Sequence, residues 1–295
     1  MYTSHRIGKM RIYDADPGVL QAFQNTGIQV TVGVPNDKLP DIASSLDIAK
    51  QWVGENIMPH YPATHITYIS VGNEILPNNA YVPNLFPAMQ NIYNAIQSLN
   101  LHTHIKVSTT IPMSVLNNSY PPSAGTFSPE VIPIIQPMLN FLSKTNSSFM
   151  ADVYPYFAYI SDPKNIPLAY ALFQSQTPNQ VGYKNLFDAS VDALIYAMEA
   201  LGHADIPIVI AESGWPSAGN TNGGANVKNA QTYNNNFIKH VLTGQGTPKR
   251  PKQTMEAFVF ALFNENQKPG DITEQHFGLF LPTKQEVYPV SFSGY

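Results

Sequence analysis

A chain of 295 residues is long enough to bury a large core, yet only 12% of it is charged, about half the usual share of roughly 25%. The net charge of -4, without any block of Lys or Arg, excludes the basic footprint that nucleic acid or an acidic membrane would require. With no cysteine, disulfides, thiol catalysis and Cys-ligated zinc are excluded as well.

Short apolar runs alternate with segments of helical spacing. KMRIYD (Lys9 to Asp14) and IQVTVGVP (Ile28 to Pro35) read as strands, followed by a helix over DIASSLDIAKQWVGENI (Asp41 to Ile57). ITYISVGNE (Ile66 to Glu74) is a third strand, and NLFPAMQNIYNAIQSL (Asn84 to Leu99) a helix that ends before NLH. HIKVSTTI (His104 to Ile111) and FMADVYPYF (Phe149 to Phe157) read as the next two strands. The helix NLFDASVDALIYAMEALG (Asn185 to Gly202) closes on a glycine suited to a C-cap. IPIVIAESGW (Ile206 to Trp215), the helix NVKNAQTYNNNFIKHVL (Asn226 to Leu242) and a last strand, AFVFALFNEN (Ala257 to Asn266), complete the pattern.

The β-branched and aromatic runs suit strands buried on both faces, as in a parallel sheet. No linker rich in Pro, Gly or Ser divides the chain, so residues 1–295 read as one α/β domain, and the length suits a (β/α)8 barrel. A doubly wound sheet would carry a Gly-rich turn after an early strand, and neither VGVPND nor VGNEIL supplies one. The count is seven strands; the missing one is expected upstream of KMRIYD. No stretch approaches the roughly 18 apolar residues of a membrane span, and MYTSHRIGKM lacks a signal-peptide core. Two glycosylation sequons, at Asn117 and Asn146, point to the secretory route, and chance in an Asn-rich chain accounts for them equally well.

In a barrel of parallel strands, residues at the strand C-termini read as catalytic. These are Tyr13 and Asp14, Asn73 and Glu74, Asp152 and Tyr154, Glu212, and Asn264 and Glu265. Glu74 and Glu212 follow the cleanest apolar runs. A carboxylate there is partly desolvated, which favours its protonated form, and two such groups facing one cleft can act as proton donor and nucleophile on a glycosidic bond. The competing role, capping of the following helix, is weaker for two together. Tyr154, Tyr156, Phe157, Tyr159, Trp215 and Phe263 offer aromatic planes to sugar rings, though core packing must claim some of them. Trp215, in a Gly-Trp-Pro loop, is expected to keep some exposure. His102 and His104 lack an H-E-x-x-H frame and read as surface or cap residues, and Ser213 lacks a G-x-S-x-G frame. No metal and no cofactor are implied.

The segments VGNEI, VYPYFAY, GYKNLFDASVDA, AESGWPSAG, FNENQK and HFGLF with VYPV, in this order from Arg11 to about Phe292, resemble the plant glycoside hydrolases of family 17, the endo-1,3-β-glucanases. The resemblance implies a (β/α)8 barrel with an open groove that cleaves internal β-1,3 linkages of β-glucan with retention. Glu74 matches the acid/base and Glu212 the nucleophile. Tyr13, Asn73, Tyr154, Phe157, Glu265, Lys268 and Glu274 match positions that line or support the cleft. A retaining mechanism places the two carboxyls roughly 5–5.5 Å apart.

Three departures from the family follow. The strand and loop that precede MRIYD in relatives are absent, so a barrel truncated at its N-terminus, with two exposed strand edges, is expected. Asp152 stands where relatives commonly carry Asn, and its charge is expected to raise the acid's pKa. The closing SFSGY runs slightly past the usual end. Alternatives to an endo-1,3-β-glucanase are a 1,3-1,4-β-glucanase on the same scaffold and a non-catalytic glucan-binding protein. A monomer is expected, secreted to the extracellular space or cell wall rather than the vacuole, since the pI of about 6.0 and the lack of a propeptide-like tail resemble the extracellular members.

Overall fold

The computed structural model describes residues 1–292; the last three residues of SFSGY lie outside the described residues. Among the described residues seven strands form one sheet whose order follows the chain, with helices between them, which is the α/β fold of (β/α)-barrel type expected from the alternation. Contacts divide the chain into two compact units. One comprises Met1–Asn118, Thr126–Ala151 and Ala197–Val209; the other comprises Ser119–Gly125, Asp152–Tyr196 and the residues from Ile210 onward.

In the first unit, β1 (Lys9–Ile12), β2 (Gln29–Val34), β3 (His65–Asn73) and β4 (Lys106–Pro112) pair in parallel. Between them run α1 (Pro17–Ala22), α2 (Leu39–Ser44), α3 (Leu46–Asn56) and α4 (Val82–Ser98). One face of the sheet is hydrocarbon. Val30, Val32, Val34, Ile66, Ile69 and Val71 are each at most 2% exposed, and α4 packs against β3 and β4. The other face carries hydroxyls. The register sets Thr31 beside Tyr68, and Ser70 beside both Gly33 and Ser108. Ser70 Oγ lies 3.2 Å from Thr110 Oγ1, Ser108 Oγ donates to the Ser148 carbonyl (2.7 Å), and Tyr68 OH meets Ser148 Oγ at 2.9 Å. Gly33 is held to glycine by crowding, since a Cβ would lie 2.4 Å from the Tyr13 carbonyl oxygen.

The single helix expected over Asp41 to Ile57 is two. Ser45 breaks it with an extended backbone, and its Oγ accepts the Asp47 N–H (3.1 Å), restarting the chain as α3. A two-stranded antiparallel hairpin, β5 (Leu116–Asn118) with β6 (Thr126–Phe127), precedes α5 (Ile132–Lys144). Neither was legible in the sequence. Pro137 lies inside α5, where proline ordinarily argues against a helix, but the buried row Ile135, Met138, Leu139 and Leu142 holds it in place.

The strand expected to reach Phe157 stops early. β7 (Phe149–Asp152) ends before Pro155, which has no N–H to give a sheet and instead opens α6 (Pro155–Ser161) in the second unit. There follow α7 (Leu168–Ala171), α8 (Leu186–Ala200), β8 (Ile208–Ser213), α9 (Val227–Leu242) and β9 (Glu256–Val259). Gly202, at φ 84°, follows α8 and takes the left-handed conformation expected of it. Asn226 caps α9 by accepting the Asn229 N–H (2.9 Å). β9 is shorter than the run Ala257 to Asn266. Beyond it the chain is irregular, and Phe263 forms an isolated parallel bridge with Phe280.

Candidate active site

Glu74 sits one position past the end of β3, in the first unit, with φ 51°. Its N–H donates to the Thr110 carbonyl (3.1 Å), so the turn is anchored to β4. Asn73 is held from two sides. The Asn36 side chain accepts the Asn73 N–H (2.7 Å) and donates to its carbonyl (3.0 Å), a reciprocal pair that fixes the backbone. Arg11 donates from Nη2 to Asn73 Oδ1 and to Thr110 Oγ1 (2.9 Å), while its guanidinium lies 4.5 Å from the Tyr13 ring centroid. Arg11, Tyr13, Asn36, Asp37, Ser70, Asn73 and Tyr81 line a cavity of about 390 Å³ within this unit. Glu74 is exposed, contrary to the expectation of a desolvated strand-end carboxylate: the left-handed turn carries it clear of the sheet's packed end.

Arg11, Asn36 and Thr110 were not read as site residues. The signal for Arg11 was present, since a guanidinium inside the apolar run KMRIYD needs a partner. Charge-assisted hydrogen bonds of this kind are worth about 1.5–3 kcal/mol each. Arg11→Met is therefore expected to lower kcat/KM by about 10- to 100-fold, with the melting temperature checked in parallel. A full-rate Arg11→Met enzyme would show that Asn73 needs no such support.

In the second unit, Glu212 is the penultimate residue of the buried strand β8 and is itself 7% exposed. The Tyr154 hydroxyl donates to its Oε2 (2.7 Å), a short bond to a carboxylate. Tyr154 is fixed in turn by edge contacts with Phe157, Phe260 and Phe277, at 5.4, 6.3 and 5.7 Å between ring centroids. Main-chain bonds lock the strand end: Val153 N–H donates to the Glu212 carbonyl and Phe260 N–H to the Ser213 carbonyl, both at 2.9 Å. The next residue can only be glycine, because a Cβ on Gly214 would lie 2.2 Å from the Phe260 oxygen. Asp152 ends β7 and is 2% exposed.

Lys268 lies 5.0 Å from the Phe260 ring centroid and donates to Glu274 Oε2 (2.9 Å) and Glu265 Oε2 (3.3 Å). Its partial burial favours the neutral amine, but the hydrogen bond and charge of Glu274, aided by Glu265, outweigh that and hold its pKa above the ordinary lysine value. Phe260 thus carries the Tyr154 ring and the Lys268 ammonium together, a role that sequence reasoning missed. Phe157, at 41% exposure, offers an aromatic face to solvent, and Phe263 is half-buried with its ring 6.3 Å from that of Phe280.

Trp215 is not a rim residue. It is fully buried, packed on Tyr156 (5.1 Å), Tyr159 (5.8 Å) and Tyr233 (5.6 Å), and its Nε1 donates to the Gly224 carbonyl (2.9 Å). The three tyrosine rings and Gly224 enclose the indole instead of leaving it to solvent. Trp215→Ala is accordingly expected to cost about 3–5 kcal/mol of stability, read as a fall in the urea midpoint. Unchanged stability with weakened glucan affinity would restore the sugar-binding reading.

The class of the protein, a glycoside hydrolase, follows from its family. The chain matches Glycosyl hydrolases family 17 over residues 1–292 and belongs to that family. It is 43% identical over 295 residues to the glucan endo-1,3-beta-glucosidase, acidic isoform GL161, of Nicotiana tabacum, across 99% of this chain and 88% of that protein. Among solved structures it superposes on CJP38, a beta-1,3-glucanase and allergen of Cryptomeria japonica pollen, with TM-score 0.96 and 53% identity over 99% of this chain and 92% of that one. A structure from a pair of plant beta-glucan endohydrolases with distinct substrate specificities gives TM-score 0.92 and 42% identity, over 99% of this chain and 94% of that one.

Proposed function

We propose that this chain hydrolyses internal 1,3-β-D-glucosidic linkages of β-glucans by double displacement, with Glu212 as nucleophile and Glu74 as acid/base. The observation that carries the reading is the Glu212 carboxylate, buried at the end of β8 and aimed by the Tyr154 hydroxyl at 2.7 Å, in a chain of family 17.

The ionised Glu212 attacks the anomeric carbon while the Glu74 carboxylic acid gives its proton to the departing glycosidic oxygen. The product is a glycosyl ester on Glu212. Glu74, now a carboxylate, takes a proton from a water that attacks the same carbon, and Glu212 leaves as a carboxylate with the configuration retained. Exposure of Glu74 suits this double duty, because it leaves room beside the carboxyl for the departing glucan and then for the water that returns its proton. Burial of Glu212 keeps water from competing for the nucleophile, and Tyr154 orients it. Phe157 and Tyr13, both more than 40% exposed, present rings to the apolar faces of glucosyl units, and Asp152 and the Lys268, Glu265 and Glu274 cluster offer polar groups to the sugar hydroxyls. A wall polymer as substrate supports a location in the extracellular space or cell wall rather than the vacuole.

The test is hydrolysis of laminarin against barley mixed-linkage glucan. Oligosaccharides of several lengths are expected from laminarin, with little release from the mixed-linkage polymer. Preference for barley glucan would overturn the linkage assignment, and binding without release from either would overturn the catalytic one.

A further inference from the structure

We infer that Asn222 is a built-in site of spontaneous backbone modification, in which its side-chain amide is lost and an isoaspartyl linkage forms in the loop behind the proposed nucleophile. Asn222-Gly223 is the one Asn-Gly dipeptide of the chain, and Asn222 is exposed. Glycine leaves the peptide nitrogen unshielded, so Gly223 N can reach the Asn222 side chain. The Asn220 side chain closes over this glycine, its Nδ2 lying 2.3 Å from where a Cβ on Gly223 would stand.

The step balances with water as the only co-reactant. Gly223 N gives up its proton and bonds to Asn222 Cγ, the Cγ–N bond to the side-chain amide breaks, and ammonia leaves. Water then opens the resulting succinimide at either carbonyl. One opening yields aspartate; the other yields isoaspartate, in which the main chain runs through the former side chain and gains a methylene.

The structure also contains a guard. Gly223 N–H donates to Asn220 Oδ1 (2.9 Å), which must be broken before the nitrogen can attack. The turn is closed by Ala225 N–H to the Asn220 carbonyl (2.9 Å) and Gly224 N–H to the Thr221 carbonyl (3.1 Å). Asn220 therefore sets the rate at which its neighbour ages. The consequence reaches the buried indole, because the Gly224 carbonyl accepts from both Trp215 Nε1 and Asn229 Nδ2 at 2.9 Å. A longer main chain immediately before Gly224 displaces that carbonyl, and a new carboxylate appears beside it.

The experiment ages the purified full chain in warm, mildly alkaline buffer, labels isoaspartate with an isoaspartyl methyltransferase, and maps the tryptic peptide that contains Asn222. Isoaspartate is expected at Asn222 ahead of every other asparagine, and Asn222→Gln is expected to remove that signal. Asn220→Ala, which deletes the guard, is expected to speed conversion several-fold; the circular dichroism of Asn220→Ala is compared with wild type so that general unfolding is distinguished from loss of one bond. Conversion at other asparagines with Asn222 intact would overturn the site. An unchanged rate in folded Asn220→Ala would overturn the guard.

Discussion

Glu212→Gln is expected to lower kcat on laminarin by about 10⁴-fold or more while leaving oligosaccharide affinity within a few-fold of wild type. The substitution keeps shape and hydrogen-bonding capacity, since the Tyr154 hydroxyl that donates to Glu212 Oε2 can donate equally to an amide oxygen. What it removes is the electron pair that forms the glycosyl ester. Kinetics on laminarin and titration calorimetry with a laminari-oligosaccharide separate the two effects. A smaller variant, Glu212→Ala, sharpens the result: azide should restore turnover and give a glycosyl azide of inverted configuration, because it enters on the face that the carboxylate has vacated. Near-normal hydrolysis by Glu212→Gln, or azide rescue without inversion, would assign the nucleophile to another group.

Glu74→Gln is expected to behave differently, and the difference depends on the leaving group. Loss of a general acid costs about 10²- to 10⁴-fold where the departing oxygen needs a proton, as with a glucan chain. An aryl glucoside with an acidic phenol leaves without one, so its first step should be nearly unaffected and the glycosyl-enzyme should accumulate as a burst. The turn at Glu74 is anchored by its own N–H to the Thr110 carbonyl and by Asn36 and Arg11 on Asn73, so the glutamine should keep the local geometry. Equal losses on both substrates would instead mean that Glu74 supports structure rather than proton transfer.

The two carboxylates looked alike in the sequence, each ending a clean apolar run, and the structure treats them differently. Glu212 is enclosed because β8 is buried to its last residue, whereas Glu74 stands in a left-handed turn and faces solvent. Apolar periodicity reports which strand delivers a side chain, but not the backbone twist at the strand's end. All seven strands of the sheet were visible as β-branched or aromatic runs, because burial on both faces leaves that composition little latitude. The errors fell where one residue type serves two roles. Val153 to Phe157 reads as strand by composition, but Pro155 starts a helix; α5 was hidden by Pro137; and Gly-Trp-Pro reads as an exposed loop although Tyr156, Tyr159 and Tyr233, brought from distant positions, cover the indole. Arg11, Asn36 and Phe260 act only through partners far away in the sequence, and no local pattern announces such a contact.

The hydroxyl-bearing face of β2, β3 and β4 has a bearing on how the chain finds its pairing. On β2 and β3, Thr31, Tyr68 and Ser70 alternate with valine and isoleucine, so a slip of one residue would drive these hydroxyls into the hydrocarbon layer beneath α4 and turn the aliphatic side chains toward Arg11. Tyr68 and Ser70 would then lose Ser148 and Thr110 as partners, at a cost of about 1–3 kcal/mol each, so the wrong frame is penalised as the strands join. The polar seam thus works as a proofreading key for assembly, and the carboxylate after β3 comes to rest at the correct height only when that key has turned.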